Sequence, residues 1–202
     1  NRDLTKMGSL CEEALALAAK ALANADGQTA AKIAPIDSEI DQMERTIESL
    51  CLKLLLQQQP VARDLRQISA ALKMITDMER IGDQASDIAE IIGFLNGRIG
   101  TDAQYICQMA VAAMRMVTES VEAYVKRDVA MAEATIQHDD VVDDLFLKVK
   151  ESLIQMISEN PKDGEYALDL LMIAKYFERI GDHATNIAEW VVFSVTGVHE
   201  QG

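Results

Sequence analysis

Aromatic side chains are scarce in this chain: four Tyr, four Phe and one Trp among 202 residues. Basic residues are outnumbered as well, 19 against 33 acidic, for a formal charge of −14. A protein that grips nucleic acid needs basic patches and rings on which bases stack, so no nucleic-acid partner is expected. The same deficit argues against direct docking on anionic lipid. Three prolines and ten glycines interrupt the chain only rarely. With Ala, Leu, Met, Glu and Lys abundant, the composition reads as helix rather than sheet. Cys11, Cys51 and Cys107 are odd in number, far apart and without a Cys-x-x-Cys pattern. They read as inert buried thiols in a reducing compartment. No signal peptide is recognisable and no apolar run reaches the ~18 residues a bilayer requires, so a cytoplasmic protein is expected. Glycine-rich phosphate loops, nucleophile elbows and His-Glu-x-x-His motifs are all missing, and the expected role is not enzymatic.

What is present is periodicity. Ala25-Asp26-Gly27, Gln59-Pro60, Asn96 to Gly100, Arg127-Asp128 and Asn160-Pro161 to Gly164 separate six stretches of helical pattern. The expected helices are 2–24, 28–58, 62–95, 102–126, 129–159 and 164–195. Short connections predict antiparallel neighbours in an all-α bundle. The chain also repeats itself. Glu79-Arg80-Ile81-Gly82-Asp83 recurs as Glu178-Arg179-Ile180-Gly181-Asp182, and Ile88-Ala89-Glu90 as Ile187-Ala188-Glu189, both 99 residues later. Asp37, Ile40 and Asp41 answer to Asp139, Val142 and Asp143 at an offset of 102. The fold class expected is therefore two pseudo-symmetric three-helix bundles, residues 1–97 and 98–202.

Carboxylates break the apolar seam. Glu79 takes a position that Leu72 holds one heptad earlier, and Glu79, Asp83 and Asp87 stack at i, i+4 and i+8. The second copy reads Glu178, Asp182 and Asn186, so its group is less charged. Asp41 lies 19 residues before Pro60 and Glu79 lies 19 after it; Asp37 and Asp83 lie 23 before and 23 after. At the ~1.5 Å rise of a helix residue, such equal distances bring all four to one level of an antiparallel hairpin. Asp139, Asp143, Glu178 and Asp182 repeat the arrangement around Pro161. At 4–5 Å and an effective dielectric near 20, each pair of ionised carboxylates repels by roughly 3–4 kcal/mol. Such groups stay protonated, pair with bases or bind cations. Arg80 and Arg179 are too few, and an all-oxygen set suits hard ions such as Mg²⁺, Mn²⁺ or iron. The alternative is two solvated helix faces, with Gly82 and Gly181 merely permitting close packing. Glu44 and Glu48 face Phe146 and Lys150 in the repeat and are expected to be surface charges. His183 follows Asp182 directly and so points away from any site; the Glu-x-x-His pairs of a di-iron bundle do not occur. Arg63 and Asp64 suit the first turn of a helix or an interaction surface.

Pro60-Val61-Ala62-Arg63-Asp64-Leu65-Arg66, then Glu79 to Asp83, then Phe177-Glu178-Arg179-Ile180-Gly181-Asp182-His183 resemble the PhoU family of phosphate-transport regulatory proteins. The resemblance spans nearly the whole chain. It implies two three-helix bundles about a pseudo-twofold and paired acidic motifs holding multinuclear iron or zinc clusters. Carried onto this sequence, the motifs are Asp37 with Asp41, Glu79 with Asp83, Asp139 with Asp143, and Glu178 with Asp182. It further implies a homodimeric repressor of the phosphate-starvation response. Such a repressor links the phosphate ABC transporter ATPase to a sensor histidine kinase and meets the membrane only through those partners. A carboxylate-cluster metalloenzyme, hydrolytic or oxygen-handling, and a purely structural bundle are the rival readings.

Overall fold

The structure, a computed structural model, describes residues 1–57, 59–98 and 103–199. These form the helices α1 (Arg2–Asn24), α2 (Gly27–Ala30), α3 (Ile33–Gln57), α4 (Ala62–Phe94), α5 (Gln104–Lys126), α6 (Val129–Gln137), α7 (Asp139–Glu159) and α8 (Gly164–Thr196). A 3₁₀ turn at Pro161–Asp163 precedes α8, and no strand occurs among the described residues. The expected helix ends at 58 and 102, and residues 99–101 of the expected junction between the halves, lie outside the described residues.

The expectation of one helix over 28–58 and another over 129–159 needs correction. Each is divided, with α2 leading into α3 through Ala31 and Lys32, and α6 into α7 at His138. The two halves prepare this break in the same way. Ala25 and Arg127 adopt left-handed backbone, with φ of 46° and 57°. The next residue's N–H then reaches back across the helix end, Asp26 to the Ala21 carbonyl and Asp128 to that of Ala123, both at 2.9 Å. Each of these aspartates then caps the short helix that follows, accepting from the Gln28 N–H in α2 and the Met131 N–H in α6, at 3.0 Å each.

Six long helices carry the core. Within the halves, α3 packs on α1 and α4, and α7 on α5 and α8; between them, like meets like, α1 against α5 and α4 against α8. Fully buried Met7, Leu15, Met74, Ile75, Ile81 and Ile88 fill the first half. Ile106, Met116, Ile173, Phe177, Ile180 and Ile187 fill the second. Each such side chain contributes about 1.5–3 kcal/mol relative to exposure, so aliphatic and thioether groups replace the missing aromatics. Cys11 and Cys51 are buried, Cys107 is half-buried, and all three are free. The Cys11 thiol donates to the Met78 carbonyl at 3.4 Å, and burial pushes its pKa far up, which makes it inert. Among the described residues no helix is long and apolar enough to cross a membrane.

Candidate metal centre

Two antiparallel hairpins position the acids. In the first, α3 and α4 approach closely because Gly82 is buried and has no side chain. A Cβ there would stand 2.8 Å from Asp37 Oδ1 and 3.0 Å from Ile40 Cδ1. In the second, Gly181 lets α7 approach α8, and a Cβ there would stand 3.1 Å from Asp139 Oδ1. The close approach sets the acids at one level, as the equal distances from the prolines predict.

Carboxylate oxygens of Asp37, Asp41 and Asp83 lie within 4.8 Å of one another, as do those of Asp139, Asp143 and Asp182. Thus three of the four expected acids in each half come together. The first trio is half-buried, whereas Asp182 leaves the second more open to water. Glu79 and Glu178 stand at the rims. Glu79 Oε2 lies 4.0 Å from Arg80 Nε, and Glu178 accepts from the Lys175 ammonium.

Crowding shows in the electrostatics. Burial, reinforced by Asp83 and Asp41, pushes Asp37 up to about 7. Burial with Asp143 and Asp182 pushes Asp139 up to about 7 as well. Glu79 rises to about 8, from burial first and then from Asp83. Asp143 and Asp182 are also raised, in each case by burial and then by Glu178. Oδ1 of Asp37, of Asp41 and of Asp139 is buried without a hydrogen-bond partner. An orphaned buried carboxylate oxygen is costly unless a proton or cation satisfies it. This donor set fits a hard cation better than it fits solvated faces.

Two neighbours, Glu44 and Asp77, differ from what the sequence pattern predicts. Glu44 is not a simple surface charge: it is half-buried, and burial, Glu48, Asp41 and Asp83 all raise its pKa. It occupies the same line of α3 as Asp37 and Asp41, which was visible in the sequence, but the repeat's Phe146 hid its role. Glu48 is exposed, as expected. Asp77 bears no repeat signature, since its counterpart is Tyr176. Its Oδ1 lies 2.9 Å from His183 Nδ1 and accepts from Asn186 Nδ2 at 3.3 Å, joining α4 to α8. His183 and Asn186 therefore bond across to the opposite half, while His183 still offsets part of the rise at Asp182. Asp64 sits in the first turn of α4, where the helix dipole favours it.

The family model described as "PhoU domain" matches residues 4–92 and again 106–191. A Clostridium acetobutylicum protein named phosphate-specific transport system accessory protein PhoU homolog is 36% identical over 197 residues, covering 96% of this chain and 90% of its own length. The Pseudomonas aeruginosa protein of the same name is 35% identical, covering 96% of this chain and 81% of the relative. Among solved structures, PhoU from Pseudomonas aeruginosa superposes with a TM-score of 0.93 at 34% identity, covering 98% of this chain and 95% of that one. The phosphate transport system regulatory protein PhoU from Streptococcus pneumoniae gives 0.89 at 25% identity, covering 99% and 95%. These relatives are named accessory or regulatory proteins rather than enzymes. A duplicated domain match, full-length relatives above one-third identity and the superposed bundles establish that this chain belongs to the PhoU family.

Proposed function

We propose that this protein is a metal-binding, non-enzymatic adaptor that holds phosphate uptake and the phosphate-starvation response in check. Its relatives' naming as phosphate-transport accessory proteins supports the regulatory half of that reading. The orphaned oxygens of Asp37, Asp41 and Asp139, each buried inside an acidic trio, carry the metal half. Asp37, Asp41 and Asp83, with Glu79 and Glu44 at the rim, would hold one multinuclear cluster. Asp139, Asp143 and Asp182, with Glu178 released from Lys175, would hold the other. Iron or zinc fits the family, and manganese or magnesium the oxygen donors. Bound cations would supply charge neutralisation and a cross-link between the two helices of each hairpin, with no reaction required of them.

The partners in this reading are the phosphate transporter's ATPase and the sensor histidine kinase, met by a cytoplasmic homodimer that reaches the membrane only through them. The halves 1–97 and 98–202 act as one cluster-bearing unit each. A second reading, a structural bundle with protonated acids, is favoured by Asp37 and Asp139 at about 7.

Metal analysis of freshly purified protein separates the two. The adaptor reading expects bound metal, lost from one half in Asp37→Asn with Asp83→Asn and from the other in Asp139→Asn with Asp182→Asn. A phosphate-starvation reporter, in a bacterial host lacking its own family member, should be repressed by the wild type and released by both variants. Metal-free protein with full repression would sink the metal reading. Metal-loaded protein without repression would sink the regulatory one.

A further inference from the structure

The two halves match in their acids but not in the surface beside them. Leu147 and Ile154 continue the line of Asp139 and Asp143 along α7, and are 56% and 57% exposed. Ile154 lies seven residues before Pro161 and Leu168 seven after, so the hairpin sets them at one level. Leu168 and Met172, one turn apart on α8, are 58% and 44% exposed. The first half has Arg45, Ser69 and Lys73 where the second has Leu147, Leu168 and Met172. Only Leu52, the counterpart of Ile154, keeps its apolar character. At these levels one copy of the duplicated hairpin carries aliphatic side chains where its twin carries Arg45, Ser69 and Lys73, whereas the twin's own exposed aliphatics, Leu52, Leu56 and Leu65, gather toward the Pro60 turn.

The rim of that face is acidic. Asp140, Asp144 and Glu151 alternate with Leu147 and Ile154 on the outward side of α7. Glu165 and Asp169 flank Leu168 on α8, and Asp169 is raised by partial burial and then by Glu165. Among the described residues none of these five carboxylates forms an ion pair; of the nearby cations, Lys150 lies beside Leu147 and Ile154, and Lys175 is held by Glu178 and over the Phe146 ring. An exposed aliphatic patch with a polar rim marks a contact surface.

We infer that the outer α7–α8 face, Leu147, Ile154, Leu168 and Met172 within their acidic rim, docks a basic amphipathic helix of a protein partner. Aliphatic residues at i, i+4 and i+7 of that helix would cover the patch, and Lys or Arg beside them would meet the rim. A second copy of this chain is a poor occupant, because isologous pairing sets the acidic rim against itself. An anionic bilayer is repelled for the same reason. The inference extends the adaptor reading by naming a partner's chemistry, but it requires no metal.

The test uses a fluorescein-labelled Leu/Lys amphipathic peptide of about five helical turns and the same composition scrambled. Anisotropy titration should show salt-sensitive binding of the amphipathic peptide alone. The variant Leu147→Arg with Leu168→Ser and Met172→Lys, which installs residues the first half already carries, should bind at least about tenfold more weakly. The reciprocal variant Arg45→Leu with Ser69→Leu and Lys73→Met should raise the stoichiometry from one peptide to two. Equal binding by the first variant, or by the scrambled peptide, overturns the proposal. So does a wild-type dimer in sedimentation that this variant dissolves, since the face would then be a self-association surface. Metal content and reporter repression read the adaptor proposal separately, so failure of one is distinguishable from failure of the other.

Discussion

Replacing Gly82 and Gly181 by alanine, one at a time, tests the geometry of the two trios against each other. Both glycines lie inside 33-residue helices. Alanine there gains about 0.5–1 kcal/mol of helix propensity wherever space allows. At Gly82 space does not allow it, since the new methyl would lie 2.8 Å from Asp37 Oδ1 and 3.0 Å from Ile40 Cδ1. Relief comes by turning the Asp37 carboxylate out of the trio or by pushing α3 away and loosening Ile40. Overpacking of this kind costs about 1–3 kcal/mol, so the net change should be a loss of about 0–2 kcal/mol. At Gly181 the nearest atoms are Asp139 Oδ1 at 3.1 Å and Val142 Cγ1 at 3.4 Å. A shift of a few tenths of an ångström suffices, and Gly181→Ala should be neutral or up to about 1 kcal/mol stabilising.

Urea and thermal unfolding in the presence of a chelator read this directly. For a protein of this size 1 kcal/mol moves the Tm by about 2–4 °C, and the two variants should diverge. Competition with a metal indicator supplies the second readout. Displacing Asp37 should weaken the first site about tenfold, the order of effect seen when a ligand's supporting contacts are removed. Gly181→Ala should change the second site less. Equal shifts in the same direction, with unchanged affinity at both sites, would refute the claim that Gly82 seats the Asp37 carboxylate.

Four further outcomes follow from the structure. Asp37 and Asp139 are raised to about 7; a folded-state pKa above the unfolded one means stability present at low pH and lost as pH climbs from about 4 through 7. In chelator, stability should therefore fall over that window by about 1 kcal/mol per aspartate after solvent screening, read as a falling Tm, and Asp37→Asn with Asp139→Asn should flatten the slope. Metal affinity should run the other way and rise with pH, since cations compete with those protons. Ala25→Gly, at a left-handed helix end with φ 46°, should raise the urea midpoint by about 1 kcal/mol of stability. His183→Ala removes the 2.9 Å contact to Asp77 and should cost about 1–2 kcal/mol while leaving metal stoichiometry intact, because the ring bonds across to the opposite half.

Much of the architecture was legible because the signals were periodic or duplicated. Periodicity marks the long helices, although the seam expected through Leu72, Ile75, Glu79 and Gly82 lies at the edge of the buried face, which runs through Ile75, Met78, Ile81 and Ile88; equal distances from Pro60 and Pro161 set the levels of the acids. The divisions at Ala31–Lys32 and at His138 were not legible. Thr29, Ala30, Ile33 and Ile36 are buried in continuous helical phase across the first break, which masks its one marker, Pro35 in the first turn of α3, and no proline or glycine stands beside His138. The direction of the chain there is set by the capping aspartate and by packing of the short helices on α4 and α8, contacts distant in sequence.

The duplication was also what misled. Agreement between copies selects residues that serve both halves alike, and it discards whatever only one half uses. Glu44 reads as a surface charge because its counterpart is Phe146, yet it lies half-buried against the first trio. Asp77 carries no repeat signal because its counterpart is Tyr176, yet it ties α4 to His183 and Asn186. Leu147 and Leu168 stand out only by contrast with Arg45 and Ser69. A repeat that must bind the same kind of ion twice is held to the same acids on both sides. Contacts that distinguish one half from the other, to a partner or across the pseudo-twofold, are under no such restraint. In a duplicated bundle, then, shared residues report the chemistry common to both halves, and differences at exposed positions report how the molecule is oriented when something binds it.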